Sequence, residues 1–436
     1  METRMQICWE RALPTAQAQT GLEPAIGLEP AIGLEPAIGL EPAISLEPSG
    51  TRPGVARPST RRCVVRETGA WMVRIALVAV CAIGAVGTVG GPHAAAVERV
   101  VFRPYPDSQE TLDVVGEALV RVPSGGMLLM ADDGQLWTVQ PERLISRKSD
   151  NQPLVPIDHH EAAQRLLAEL PAGFQVHHTA NYVICHNTPE EYVSWVGGLF
   201  EQIHQGFYTY WKNKGRKLPK AEFPLVAVVF ADQKSFAEYA RPEVGELVNS
   251  VIGYYHLQTN RMTTYYLKDN ERRVATLVHE AVHQLAYNSG LQRRMADNPY
   301  WVSEGLATYF ESPDLNSVRG WRNIGAINTV NLARFNAYLR KRPRDSLTTL
   351  IRDDSRFRNP AEATFAYAEA WALNYFLLRT REEQYLKYLD ELAEGPLMSE
   401  PDPRARVQAF QDAFETDLET LDRQFLLYMN RYGRRR

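Results

Sequence analysis

His279-Glu280-Ala281-Val282-His283 reads H-E-x-x-H and lies inside the helical run from Val274 to Leu285. Histidines four residues apart share one helix face, a turn from each other. From that face two imidazole nitrogens can reach one zinc ion at about 2.0–2.1 Å. The glutamate after the first histidine then sits beside the metal, where it can take a proton from water. The competing interpretation is an amphipathic helix with two buried histidines and a solvated Glu280.

A catalytic zinc needs a third protein ligand and one open position. The segment from Trp301 to Glu311 supplies a candidate in Glu304, with residues 284–303 as the intervening chain. That length fits a helix end, a loop and a second helix returning a carboxylate to the metal. Asn288-Ser289-Gly290 reads as the end of the first helix, Asn298-Pro299 as the start of the second, and Pro313 closes it. A second H-E pair, His160-Glu161, ends in Gln164 rather than histidine and has no acidic partner motif. It reads as an ordinary helix start, with His159 and His160 on the surface.

Together the two motifs resemble the gluzincin metallopeptidases, which pair H-E-x-x-H with W-x-x-E-G-x-A-x-Y-F-E. The likeness is carried by Trp301, Glu304, Gly305, Ala307, Tyr309, Phe310 and Glu311. It is strongest to bacterial peptidase-MA-like proteins and spans about residues 165 to 432. The resemblance implies an α+β, zincin-like fold: a mixed sheet, the H-E-x-x-H helix and a helical C-terminal lobe. It also implies one zinc ion on His279, His283 and Glu304, and hydrolysis of peptide bonds.

In such a site zinc lowers the pKa of its water from 15.7 to about 7. Glu280 would be the general base and then deliver the proton to the leaving amine. The tetrahedral oxyanion needs a donor besides the metal. Many gluzincins use a downstream histidine or tyrosine, but no histidine follows His283 here. Tyr367 is the candidate, within Phe365 to Leu378; packing in that apolar run is its alternative role. Tyr309 and His256 are further candidates. Some relatives orient a ligand histidine with an acidic residue four positions after the third ligand. Here that position is Thr308; Glu311 is a candidate contributor, with a solvent-facing position as its alternative.

The G-x-M-E-N segment of the aminopeptidase branch is absent, which favours an endopeptidase. Residues 251–267 read as two strands around a Gln258-Thr259-Asn260 turn. In gluzincins the strand before the metal helix often forms the sheet edge on which an extended peptide lies, so the resemblance makes Arg261 to Leu267 the candidate, with a plain hairpin as its alternative role.

Upstream, Gly21-Leu-Glu-Pro-Ala-Ile26 recurs unchanged four times to Ile44, with a degraded copy to Gly50. Proline and glycine in every copy, with little apolar mass, predict disorder over residues 1–71. The identical copies point to a recently expanded DNA repeat and to Met72 as an alternative start. Met72-Val-Arg74, an apolar run to Val89 and Pro92-His-Ala-Ala-Ala96 have the form of a signal peptide over 72–96. That predicts export to a periplasmic or extracellular space. An uncleaved segment would instead make residues 75–91 a membrane anchor, although the run is short for a span of about 20 residues. Cys8, Cys63 and Cys81 precede the cleavage point, leaving Cys185 as the one cysteine of the mature chain. It reads as a buried strand residue.

Residues 97–150 read as a small β module, with Asp132-Asp133-Gly134 as a hairpin turn. The metallopeptidase-like domain is assigned to 162–436. Thr188-Pro189-Glu190-Glu191 reads as a capping box ahead of an aromatic helix with Tyr192, Trp195, Val196, Leu199, Ile203, Phe207 and Tyr210 on one face. Phe223 to Phe230 reads as a central strand, and the chain after Trp321 as helix. A net charge of -4 with interspersed signs excludes a nucleic-acid surface. The expected partner is a peptide or protein substrate, with a membrane involved only if the signal segment stays uncleaved. The rival class is a non-catalytic binding or structural protein that keeps the fold, against which an intact Glu280 counts.

Overall fold

The computed structural model describes residues 97–105, 108–150, 152–267, 270–312, 324–399 and 402–433. The repeat, the signal-like segment, the anchor alternative 75–91 and three of the four cysteines lie outside the described residues. Among the described residues no helix is long and apolar enough to cross a membrane.

The fold is α+β, with two five-stranded sheets and twelve α-helices among the described residues. The first sheet contains β1 (Val97–Phe102), β2 (Leu112–Arg121), β3 (Met127–Ala131), β4 (Leu136–Val139) and β5 (Leu144–Ser149). It is antiparallel in the order β4-β3-β2-β1-β5. Its apolar side chains alternate between two packing surfaces. Val100, Phe102, Leu129 and Val139 close its own small core. Leu128 and Leu136 on the other side pack with Met398 and the partly buried Met295 from the C-terminal part of the chain. The module therefore packs directly against the rest of the fold.

The second sheet is mixed, as expected. It comprises β6 (Gln175–His178), β7 (Tyr182–His186), β8 (Leu225–Phe230), β9 (Gly253–His256) and β10 (Arg261–Tyr265), in the order β6-β7-β8-β10-β9. The outer pairs are antiparallel and the inner ones parallel. β8 is a continuous apolar run because both of its faces are covered. Leu225, Ala227 and Val229 face the main core, while Val228 and Phe230 face a second one. Cys185 on β7 is buried in that second core, and burial pushes its thiol up to about 12.

Helices α1 (His159–Glu169) and α3 (Gln233–Val244) contribute to the second core. Helices α2 (Glu190–Asn213) and α4 (Asn270–Asn288) contribute to the main core on the opposite face. The buried stripe of α2 runs through Tyr192, Val196, Leu199, Ile203 and Phe207, but ends at Trp211 instead of Tyr210 and leaves Trp195 exposed. The capping box is not formed. Pro189 takes the cap position and the Thr188 hydroxyl bonds His186 Nδ1 at 3.2 Å. On α1, His160 is exposed and pairs with Gln164 at 2.9 Å.

The lobe that follows is helical: α5 (Tyr300–Phe310), α6 (Thr329–Leu339), α7 (Ser346–Arg352), α8 (Ser355–Arg358), α9 (Ala363–Thr380), α10 (Glu382–Ala393), α11 (Pro403–Phe414) and α12 (Leu418–Gly433). Helix α9 runs through its centre, with residues 366–378 all buried. Its one buried acid, Glu369, is 0 % exposed. Arg342 at 2.7 Å and Arg356 at 2.8 Å neutralise it, and Ser346 Oγ donates to it at 2.7 Å. Arg342 also binds Asp422 of α12. Removing one partner of such a network leaves uncompensated buried charge. Glu369→Ala is expected to destabilise the fold by about 3–5 kcal/mol, read as a lower urea midpoint with an unchanged slope.

Candidate metal centre

His279 and His283 lie on α4, one turn apart on its inner face, and Glu304 lies on α5. All three are 1 % exposed. The distance from His279 Nε2 to His283 Nε2 is 3.1 Å, from His279 Nε2 to Glu304 Oε2 3.1 Å, and from His283 Nε2 to Glu304 Oε2 3.6 Å. The imidazole rings stand at 77° to each other with centroids 4.7 Å apart, so their nitrogens converge instead of stacking.

These residues fit a metal ion. Two nitrogens bound tetrahedrally at 2.0–2.1 Å would be about 3.3–3.4 Å apart, close to the observed spacing. Among the described residues, this is the one group of three or more such side chains able to hold a metal. Two imidazoles and a carboxylate form a donor set that suits zinc and also copper, iron and nickel.

The electrostatics point to a cation. Burial opposes ionisation of Glu304, yet His283 and His279 hold its carboxyl well below the usual carboxylate range. Burial alone would depress His279, but Glu304 and Glu311 on its two ring nitrogens hold it well above the ordinary histidine value. His283 is lowered, first by burial.

Glu311 is placed more definitely than its sequence position suggested. It lies two helical turns after Glu304, just beyond the end of α5, and its Oε1 is 2.7 Å from His279 Nδ1. This carboxylate fixes the ring orientation and leaves Nε2 facing the ligand cluster. Asn328 Nδ2 donates to the other oxygen, Oε2, at 3.3 Å. Thr308 does not take that part, because its hydroxyl donates to the backbone oxygens of Glu304 and Gly305.

Helix α5 is held in position from several sides. Its N-cap is Pro299, which offers no side-chain acceptor. Asp354 replaces one by accepting from Tyr300 N at 3.0 Å, and Arg406 of α11 binds both Asp354 oxygens at 3.1 Å. Gln292 donates to Ser303 Oγ at 2.8 Å. Asn374 of α9 donates to Trp301 O at 2.7 Å. The close approach of α9 depends on Gly305: a Cβ there would overlap Asn374 Nδ2 and stand 2.8 Å from Ala370 O. The pair Glu304-Gly305 thus joins a ligand to the contact that positions it.

Glu280 is buried on α4, and its Oε2 accepts from the backbone N–H of Tyr255 in β9 at 2.7 Å. This revises the expected sheet edge. β10 lies between β8 and β9, so the edge strand is β9 (Gly253–His256) and not Arg261 to Leu267. The N–H of Tyr255 points outward from that edge toward Glu280. Its ring stacks on Tyr287 of α4 at 5.8 Å. Neighbouring Tyr254 and His256 face the other side of the sheet by the period-two rule, with Tyr254 in the second core. His256 therefore turns away from α4 and bonds Thr259 Oγ1 at 3.1 Å.

The metal-capable triad forms without Tyr367. That residue is 5 % exposed on α9 and sets its ring edge-on to Phe357 at 5.3 Å. It shares a helix face with Ala370 and Asn374, the residues that meet Gly305. Tyr309 accepts from Tyr210 OH at 3.1 Å and packs between helices. Of the surrounding residues, Glu311 had a sequence signal in its i+7 spacing from Glu304. Asp354, Asn374 and Arg406 had none, since they reach α5 from remote helices.

Among known families, one described as "Protein of unknown function (DUF1570)" matches residues 273–398. That span contains His279, Glu280, His283, Glu304, Glu311 and Tyr367. No curated protein matches the chain.

Two substitutions test this arrangement. Glu311→Ala should weaken metal binding by about 10–100-fold without changing the helical circular dichroism, as measured by competition with a chromogenic chelator. Gly305→Ala should separate α9 from α5 and cost about 1–3 kcal/mol, seen in thermal unfolding of the metal-free chain.

Proposed function

We propose that the chain is a zinc-dependent peptidase with a zincin-like fold of the gluzincin kind, exported through the signal-like segment 72–96 and acting as an endopeptidase. The observation that carries this reading is the convergence of His279, His283 and Glu304 beside a glutamate that touches the sheet edge. A metal-binding site alone would not require that fourth residue.

Zinc bound by the triad would supply Lewis acidity toward a carbonyl and make a water nucleophilic near neutral pH. The remaining chemistry falls to the chain. Glu280 takes the proton of the attacking water and passes it to the leaving amine. Its bond from Tyr255 N holds the carboxylate on the side of α4 that faces β9. Glu311 keeps the His279 ring oriented. Tyr367 is assigned as a hydrogen-bond donor to the developing oxyanion, supported by its sharing a helix face with Ala370 and Asn374, the residues that meet Gly305.

The substrate is assigned to the outer edge of β9, where it would lie beside Glu280. An added peptide strand binds through main-chain hydrogen bonds, so many sequences are accepted. Such a strand would run past Glu280, bringing an internal peptide bond to the site. This favours cleavage within chains and places the substrate class as extended or unfolded polypeptide.

Glu280→Gln should retain about one zinc per chain, read by elemental analysis, and lower casein cleavage by about a thousandfold or more. A metal-free purified chain that takes up no zinc, or a Glu280→Gln variant with full activity, would overturn the reading.

A further inference from the structure

A cavity of about 240 Å³ separates the N-terminal β module from the mixed sheet, on the face opposite α4. It is distinct from the metal centre. Side chains alternate along β9, so Tyr255 turns toward α4 while His256 lines the cavity. The walls come from separate parts of the chain: Trp137 of β4 and Tyr105 on the module, and Tyr239 of α3 across from them. Tyr105 is 37 % exposed, so the aromatic lining continues to the protein surface.

The polar lining is unbalanced. Glu169 and Glu243 contribute two carboxylates, and Arg261 contributes one guanidinium. Arg261 is engaged with Glu169 through both terminal nitrogens, at 2.5 and 3.1 Å. Glu243 receives the Tyr254 hydroxyl and lies 3.8 Å from His256 Nδ1. Burial keeps His256 below the ordinary histidine value despite the nearby carboxylate, so the ring does not offset the charge at neutral pH. Among the described residues no lysine or arginine ion-pairs with Glu243, and its side chain is only 16 % exposed. A carboxylate so placed favours a cationic partner.

The cavity volume is below the roughly 300–1,000 Å³ of sites for drug-sized molecules. It suits one basic amino-acid residue. Aromatic faces beside a carboxylate attract such a cation through the ring quadrupole as well as by charge.

We propose that this cavity binds a small organic cation, a guanidinium or alkylammonium group, with Glu243 as its counter-ion and Trp137 and Tyr239 as its aromatic walls. The site does not depend on the peptidase reading, because its residues lie on the other face of the sheet and the test below measures binding alone. The cation could be a free basic amino acid or the basic side chain of a peptide. Both carry the same recognition chemistry.

The test is calorimetric titration of the full chain carrying Glu280→Gln, which prevents turnover of a peptide probe. The probes are arginine amide and a blocked Ala-Arg-Ala tripeptide. Nα-acetyl-citrulline amide, which carries neither a guanidinium nor a free amine, serves as the uncharged control for the first, and blocked Ala-Ala-Ala for the second. Saturable binding of at least one arginine probe is expected, at one site per chain, with no binding of its control. Adding Glu243→Gln should weaken it about tenfold or more, as for loss of a charge-assisted hydrogen bond. The glutamine still offers an oxygen to Tyr254, so the melting temperature should hold. Trp137→Ala should weaken binding as well; if that variant fails to fold, Glu243→Gln decides alone. Binding of arginine amide identifies a free amino acid as sufficient, and binding of the tripeptide alone identifies a chain-borne residue. Absence of saturable binding for both probes, or affinity unchanged by Glu243→Gln, overturns the proposal.

Discussion

Glu304 facing two buried imidazoles is the constraint on which the rest of this fold depends. Three atoms able to hold a metal stand 3.1–3.6 Å apart on side chains that are 1 % exposed. Buried polar groups are costly unless hydrogen-bonded or neutralised, so the surrounding structure has to hold them in register. His279 is oriented by Glu311, and Glu311 by Asn328. The helix carrying Glu304 is fastened at its start by Asp354 and Arg406 and along its length by Asn374. Such tethers make the ligand geometry a property of the whole helical lobe.

The edge strand β9 joins this site to the sheet. Because a strand alternates its side chains, four residues serve two surfaces. Tyr255 gives its ring to Tyr287 on α4 and its N–H to Glu280. Tyr254 and His256 belong to the opposite face, where Glu243 receives the Tyr254 hydroxyl. The β module rests on the same corner: Leu136 N donates to Gln258 O at 2.8 Å, and Arg294 bridges Gly134 O and Leu257 O. Its packing steadies the turn that follows the edge strand.

Much of the site could be read before any fold was known. Histidines at i and i+4 on a helical run have one geometric consequence, and Glu304 followed at a distance that a helix, a loop and a helix can span. The α+β class, the mixed sheet and the 251–267 hairpin were legible for the same reason, since local periodicity reports which faces are buried. Reading failed where a side chain's partner is remote in the chain. Thr188 looked like a cap but bonds His186, because Pro189 already takes that position. Arg261 to Leu267 looked like an edge because of its place before the H-E-x-x-H helix, yet strand order depends on which neighbours pair, and β8 claims the outer side of the strand formed there.

Local chemistry along the chain determined the donor set: two imidazoles and a carboxylate that share the faces of two adjacent helices, with Glu280 beside them. Tertiary structure alone decided what aims those donors. Glu311 reaches His279 only because α5 packs beside α4, and α9 can lie against α5 only where Gly305 lacks a Cβ. It also decided that β9 forms the edge and that a cavity opens behind it. Spacing within one helix is set by the 3.6-residue turn and can be counted along the sequence. Contacts between remote segments come from packing the whole core at once, which no single stretch encodes.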